Sequence, residues 1–184
     1  GTSGSYVQVG GGATLRYANA ASDALLMQLN NSPPAGAILS GWDSTTVSSG
    51  VATTAVHHPA GDLKKVSLGT MTGFGSPSSS SGSNFIISSW NSGVTEGGSS
   101  GSGLFTSNGS EYVFRGGLYG GPSSCTAPSS SKYDYYSRFD QVYPAIAQFL
   151  NPSQCSYTLS PNNITVGAGA TSGSVSITTG GGCA

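Results

Sequence analysis

Between Asn91 and Phe105 the chain reads Asn-Ser-Gly-Val-Thr-Glu-Gly-Gly-Ser-Ser-Gly-Ser-Gly-Leu-Phe. A serine set among glycines, after the strand-like run Phe85 to Trp90 and before the apolar pair Leu104-Phe105, is how a nucleophile is displayed on a tight turn. The chemistry is acyl transfer. A seryl Oγ attacking a carbonyl must stand clear of its own backbone, and the oxyanion that forms needs N–H groups aimed at it. Glycine neighbours permit both. Within Gly98 to Leu104 the serine so flanked is Ser100, and the N–H groups of Gly98 and Ser100 are the natural oxyanion donors. The competing reading is a plain Gly/Ser loop, of which the chain holds others, Ser78 to Ser83 among them.

Few other side chains can do chemistry. Asp23 precedes the apolar run Ala24 to Leu29, read as a buried strand; a carboxylate there needs a partner, or else caps a turn. The cysteines Cys125, Cys155 and Cys183 have no C-x-x-C spacing, and the histidines are few (His57 and His58), so no metal or other cofactor is expected and disulfides are the better use. An odd count in an exported chain implies a partner outside the sequence shown.

These groups must be held by strands. Ala13 to Tyr17 alternates in the manner of a strand, as does Tyr6 to Val9 across the Gly10-Gly11-Gly12 turn. After the connector Asn30 to Pro34 come short runs at turn-punctuated intervals: Ala37–Trp42, Thr53–His57, Leu63–Leu68, Phe85–Trp90, Tyr112–Tyr119 and Tyr133–Phe139. Six or so such strands suggest an antiparallel barrel, an all-β fold. One helix is expected over Gln141 to Leu150, where Val142, Ala145, Ile146, Phe149 and Leu150 fall at helical spacing after a possible Asp140 cap; Asn151-Pro152 ends it. From Cys155 onward light, Gly-punctuated strands with almost no charge read as a separate small β module, too short to bury a core.

Composition excludes several roles. Charged residues make up 7% of the 184, with a net charge of −1, so there is no basic face for nucleic acid. No apolar run approaches a membrane span, and the Gly/Ser-rich, charge-poor composition reads as an extracellular protein. The sequence starts at Gly1 without Met, from which a leader already removed, or never included in this stretch, is expected.

The residues together resemble the chymotrypsin-fold serine endopeptidases of bacteria, lysyl endopeptidases in particular. The likeness covers roughly residues 9 to 150 and rests on Gly11-Gly-Ala-Thr-Leu15, Ser22-Asp-Ala-Leu-Leu26 with Leu29-Asn-Asn31, His57-His-Pro-Ala-Gly61 with Lys65-Val-Ser67, Gly93 to Ser102, and Gly120-Gly-Pro-Ser-Ser-Cys125. It implies Asp23 as triad aspartate, Ser100 as nucleophile and Gly98 as oxyanion donor. It also implies a histidine ahead of the aspartate, and none precedes Asp23. The expectation is therefore a remnant of a first barrel over residues 1–36, a largely complete second barrel with its helix over 37–151, and the start of an immunoglobulin-like module over 152–184. Without the imidazole the chain alone is expected to be nearly inactive. His57 as base, in the order Asp, His, Ser, is the minor alternative; packing is its better role.

By the same resemblance Asp134, flanked by Tyr133 and Tyr135, takes the place of the pocket aspartate that receives a lysine or arginine side chain, while the position six before the nucleophile is Val94. A solvated loop aspartate is the competing reading, and Glu96 the rival acid. Tyr119 stands where the family has histidine, and Gly120 and Gly121 would leave a strand edge bare for substrate backbone. Cys125 matches a family cysteine paired outside this stretch; a Cys155–Cys183 bridge is plausible within the trailing module. The reading is a monomeric secreted serine endopeptidase fragment acting on polypeptides after Lys or Arg, against a non-enzymatic β-rich binding or adhesion module.

Overall fold

The structure, a computed structural model, describes residues 8–77, 82–150, 157–160, 168–169 and 174–179. The chain divides into two units, Gly1–Ile146 and Ala147–Ala184.

The first unit opens with a hairpin of β1 (Ala13–Asn19) and β2 (Ala24–Leu29), paired from Ala13↔Leu29 to Asn19↔Ala24. Asp23 closes its tip. The expected burial of Ala24 to Leu29 is not found: Leu25 is 66% and Leu29 62% exposed. Residues 8 and 9 lie outside any strand, and the rest of the expected Tyr6–Val9 strand falls outside the described residues.

The barrel follows. Its strands are β4 (Ala52–His57), β5 (Lys65–Gly75), β6 (Phe85–Ser92), β7 (Gly103–Ser107), β8 (Tyr112–Gly120) and β9 (Tyr133–Ser137), with the short β3 (Gly41–Trp42) alongside. The sheet runs β3-β8-β7-β4-β5-β6-β9, and β8 also pairs with β9. That last pairing joins the ends, so β4 to β9 form a closed ring in which every pair is antiparallel. Closure removes the sheet edges. Only β3 is parallel to its neighbour, and of the run expected over Ala37–Trp42 just Gly41–Trp42 is strand.

Period-two alternation fills the interior. Along β4, Thr53, Ala55 and His57 are buried while Ala52 and Val56 are exposed; along β9, Asp134 and Tyr136 are buried between half-buried tyrosines. Met71, Ile86, Trp90, Val94, Leu104, Leu118 and Tyr136 meet in one core. Burying each such aliphatic side chain stabilises the fold by about 1.5–3 kcal/mol.

The barrel hands over to α1 (Phe139–Leu150), which starts two residues earlier than its apolar spacing predicts. Asp140 lies inside the first turn rather than at the cap. There it pairs with Arg138 and accepts from Thr46 Oγ1 at 2.8 Å. Phe139 packs its ring on Trp42 and Phe114, at centroid separations of 5.7 and 5.5 Å, tying the helix start to β3 and β8.

In the second unit, β10 (Tyr157–Ser160) pairs antiparallel with β11 (Ser176–Thr179). Cys155 and Cys183, and so the expected bridge, lie outside the described residues. Cys125 is exposed and makes no disulfide among the described residues.

Candidate active site

The loop from β6 to β7 carries the serine turn. Gly98 has φ +95°, in the left-handed region, and a Cβ there would stand 3.2 Å from the His58 carbonyl oxygen. Conformation and space both call for glycine. The turn is tightened by Ser99 N–H to Glu96 O at 3.0 Å and Ser102 N–H to Ser99 O at 3.1 Å, and Gly101 N–H anchors it to Leu118 O of β8 at 2.8 Å. Between these bonds the N–H groups of Gly98 and Ser100 have no acceptor among the described residues. Ser100 itself is exposed, and its Oγ has no hydrogen-bond partner among them. One turn thus offers an exposed hydroxyl and two N–H groups without acceptors among the described residues, the group types on which acyl transfer draws.

Asp23 reaches the same place from the other end of the sequence. With φ +49° it is one of two non-glycine residues described in the left-handed region, a conformation that costs about 1–3 kcal/mol and is met mostly at functional sites. One cleft is lined by both Asp23 and Ser100, with Tyr17, Leu26, Leu118 and Phe139 among its apolar walls. The hairpin tip and the serine turn are therefore brought together across it.

Both histidines make hydrogen bonds of their own. His57 is 2% exposed, and both ring nitrogens are engaged: Nδ1 with Ser99 Oγ and Nε2 with Ser67 Oγ, each at 2.9 Å. Burial, the largest influence, holds its pKa below 6.5 against the opposing field of Asp134. His58 is exposed, and its Nδ1 bonds the Asp62 carbonyl at 3.2 Å. The order Asp, His, Ser is thus not realised by His57, because the inward phase of β4 turns its ring to the interior.

Asp134 is not a solvated loop residue. It is fully buried, and three donors converge on its Oδ2: Trp90 Nε1 at 2.5 Å, Ser123 Oγ at 2.6 Å and Thr95 Oγ1 at 2.7 Å. Its Oδ1 has no hydrogen-bond partner among the described residues. Gly121 lies directly against that oxygen, for a Cβ there would fall 2.5 Å away. Gly120 ends β8 opposite Tyr135, and a Cβ on it would meet open space. Gly120 is half-buried and paired within the sheet, with space beside its Cα, whereas Gly121 is glycine because the backbone must pass over Asp134. Tyr119 is 47% exposed and rests its ring on Phe85 at 5.1 Å. Glu96 Oε1 accepts Cys125 N–H at 3.1 Å, and the Cys125 thiol, hydrogen-bonded to Glu96 and beside its charge, has a raised pKa. Val94 belongs to the core.

Sequence reasoning missed the shell around these groups: Trp90, Thr95 and Ser123 on Asp134, and Ser99 and Ser67 on His57. The available signal was phase. A charged or titratable residue on the inward face of an alternating strand, as His57 and Asp134 are, needs buried polar partners. Among the described residues no group of three or more His, Cys, Asp or Glu could hold a metal ion, and no helix is long and apolar enough to cross a membrane.

Comparison with known proteins fits this geometry. Residues 1–137 match the sequence profile of the family described as "Lysyl endopeptidase, C-terminal domain". The chain is 43% identical over 143 residues to the lysyl endopeptidase of Pseudomonas aeruginosa, a match covering 77% of this chain and 31% of the relative. It thus spans about a third of that curated relative's length. Among solved structures it resembles the active form of the Rv3671c protease from M. tuberculosis, with a TM-score of 0.51 and 15% identity over 73% of this chain and 57% of that one. At that identity the likeness concerns the fold, an antiparallel barrel of the chymotrypsin type.

Proposed function

The chain belongs to the lysyl endopeptidase family, and from that premise we propose that it is the nucleophile-bearing part of a secreted serine endopeptidase that hydrolyses the peptide bond after lysine or arginine. The observation that carries this reading is the meeting of Asp23 and Ser100 on one cleft, beside two N–H groups without acceptors. Ser100 Oγ attacks the substrate carbonyl carbon and gives its proton to an imidazole. The carbonyl oxygen, now negative, accepts from Gly98 and Ser100 N–H. The C–N bond breaks as the imidazole returns the proton to the leaving amine, and water releases the acyl group from Ser100 by the same steps in reverse. His57 is buried with both ring nitrogens bonded, and His58 bonds the Asp62 carbonyl through Nδ1. In this reading the imidazole is contributed from outside these 184 residues, with Asp23 as the carboxylate that orients it.

Specificity is read from Asp134. A buried carboxylate with one oxygen unpartnered favours a cation brought to that oxygen. Because Asp134 is 0% exposed, a lysine ammonium reaches Oδ1 only if the segment carrying Gly121 moves off it.

A serine-directed fluorophosphonate tests the proposal. The intact protease is expected to be labelled at Ser100 and the Ser100→Ala variant not at all; the isolated chain, lacking the base, labels slowly. Labelling mapped to Ser99 or Ser102 would overturn the assignment. No labelling of the intact protease would favour the binding-module reading.

A further inference from the structure

His57 does not act on Ser100, yet it touches the residue next to it. Three hydrogen bonds and one weaker contact fix how its protons are arranged. Ser67 Oγ is 3.2 Å from the Val94 carbonyl, which can only accept. If Ser67 donates its hydroxyl proton there, its oxygen must receive one from His57, so Nε2 carries the hydrogen and Nδ1 is a bare acceptor. Ser99 O–H then donates to Nδ1, and Ser99 Oγ is left to receive Glu96 N–H at 3.4 Å. Every donor in the chain of bonds finds an acceptor. The other tautomer, and the imidazolium as well, would direct an Nδ1–H at Ser99 Oγ. Ser99 O–H would then be buried with nowhere to donate, since Ser99 is 1% exposed and its remaining neighbour is itself a donor.

We propose that His57, as the neutral Nε2–H tautomer bridging Ser67 and Ser99, is a positioning residue for the nucleophile turn. Ser99 lies between the two oxyanion donors. Its own N–H is held by Glu96 O and its carbonyl by Ser102 N–H, so fixing its side chain fixes the orientation of the peptide units on both sides, including the one that presents Ser100 N–H. In effect a neutral imidazole pins a serine-bearing turn to β4 and β5. The charged groups acting on the ring are Asp134 of β9 and its neighbour His58; Lys65 stands opposite it in the β4–β5 pairing and is exposed. This inference rests on Ser100 as nucleophile.

Two measurements test it. With ¹⁵N-labelled histidine in the chain, two-bond ¹H–¹⁵N correlation is expected to give His57 as the Nε2–H tautomer at neutral pH, still neutral at pH 6.5. An Nδ1–H tautomer, or an imidazolium at pH 6.5, would overturn the proposal. In the active protease, His57→Phe and Ser99→Ala are each expected to lower kcat roughly tenfold to a hundredfold while leaving KM nearly unchanged, because the donors serve the transition state rather than substrate binding. The double variant is expected to be no worse than the poorer single one. An unchanged kcat in His57→Phe would refute positioning even where Ser100→Ala is inactive; an active Ser100→Ala would instead refute the nucleophile assignment. Should a variant fail to fold, the tautomer decides.

Discussion

Asp134 is held by one oxygen and bare at the other, and that asymmetry is where residue-scale chemistry can be tested. Asp134→Asn keeps the shape but removes the charge, which typically costs on the order of 2–5 kcal/mol when a buried charge pair loses one partner. In the active protease, kcat/KM after Lys is expected to fall by roughly 30-fold or more, at about 1.4 kcal/mol per tenfold, with labelling of Ser100 retained. Paired Lys and Leu substrates check it. A Lys preference that survived Asp134→Asn but vanished with Glu96→Gln would transfer the role to Glu96, whose carboxylate is occupied by Cys125 N–H in the structure. Tyr136 is fully buried, and its phenol pKa is raised first by burial and then by the Asp134 charge. Of these residues, Ser100 was legible because its local pattern of glycines is the function. The partners of Asp134 were not, because Trp90, Thr95 and Ser123 come from separate segments whose approach depends on barrel closure.

At the scale of elements, the junction of β9 with α1 carries a part-buried ion pair that is testable by acid. Arg138 is 8% exposed; its Nε donates to Asp140 Oδ1 at 3.0 Å, its Nη1 to Ser83 O at 3.0 Å, and its guanidinium lies 3.9 Å over the Phe74 ring. Burial alone would raise the Asp140 pKa, but the hydrogen bonds from Arg138 and Thr46 and the Arg138 charge outweigh it and hold the carboxyl below 3.8. A carboxyl lowered in the folded state contributes stability that is fully present above its unfolded value of about 3.9 and is lost as pH falls through the folded one. Urea unfolding of Asp140→Asn is therefore expected to show lower stability at pH 7, by about 1–3 kcal/mol, less than for a fully buried pair because solvent screens this part-buried one, and a shallower decline below pH 4. An identical acid slope in the variant would remove Asp140 from the account. His57 works in the same sense higher on the pH scale: its lowered pKa means that the unfolded state binds the proton first, so stability falls as pH drops below about 6.5. The helix was readable from the spacing of Val142 and Ile146; the earlier start was not, because Phe139 joins it through contacts with Trp42 and Phe114 rather than through periodicity.

Across the whole molecule, stability is unevenly shared. The barrel from β4 to β9 is closed and filled, while the β1–β2 hairpin exposes Leu15, Leu25, Met27 and Leu29 at 43–66% and has only two strands, which in water are marginal. Amide hydrogen exchange in the isolated chain is expected to be faster by orders of magnitude in β1 and β2 than in β5 and β6, reflecting local opening against global unfolding. Equal protection would show that the hairpin is as firmly held as the barrel. Asp23 sits on this weaker element, so the same exchange experiment is expected to show the carboxylate side of the candidate site opening more readily than the serine turn, which is bonded to β4 and β8. The sequence by itself determined the all-β class, the serine turn and five of the six barrel strands, because alternation and glycine placement act over a few residues and are written locally; β7 and the two-residue length of β3 were not among its runs. It also carried the family likeness on which Asp23 and Asp134 were named. Only the tertiary structure decided that Asp23 and Ser100 face one cleft, that Asp134 is buried under Gly121, and that His57 belongs to Ser99 and Ser67 rather than to Ser100. Those outcomes depend on which strands pair and which phase turns inward. Pairing is settled by long-range contacts such as the β8–β9 closure, which no local pattern encodes.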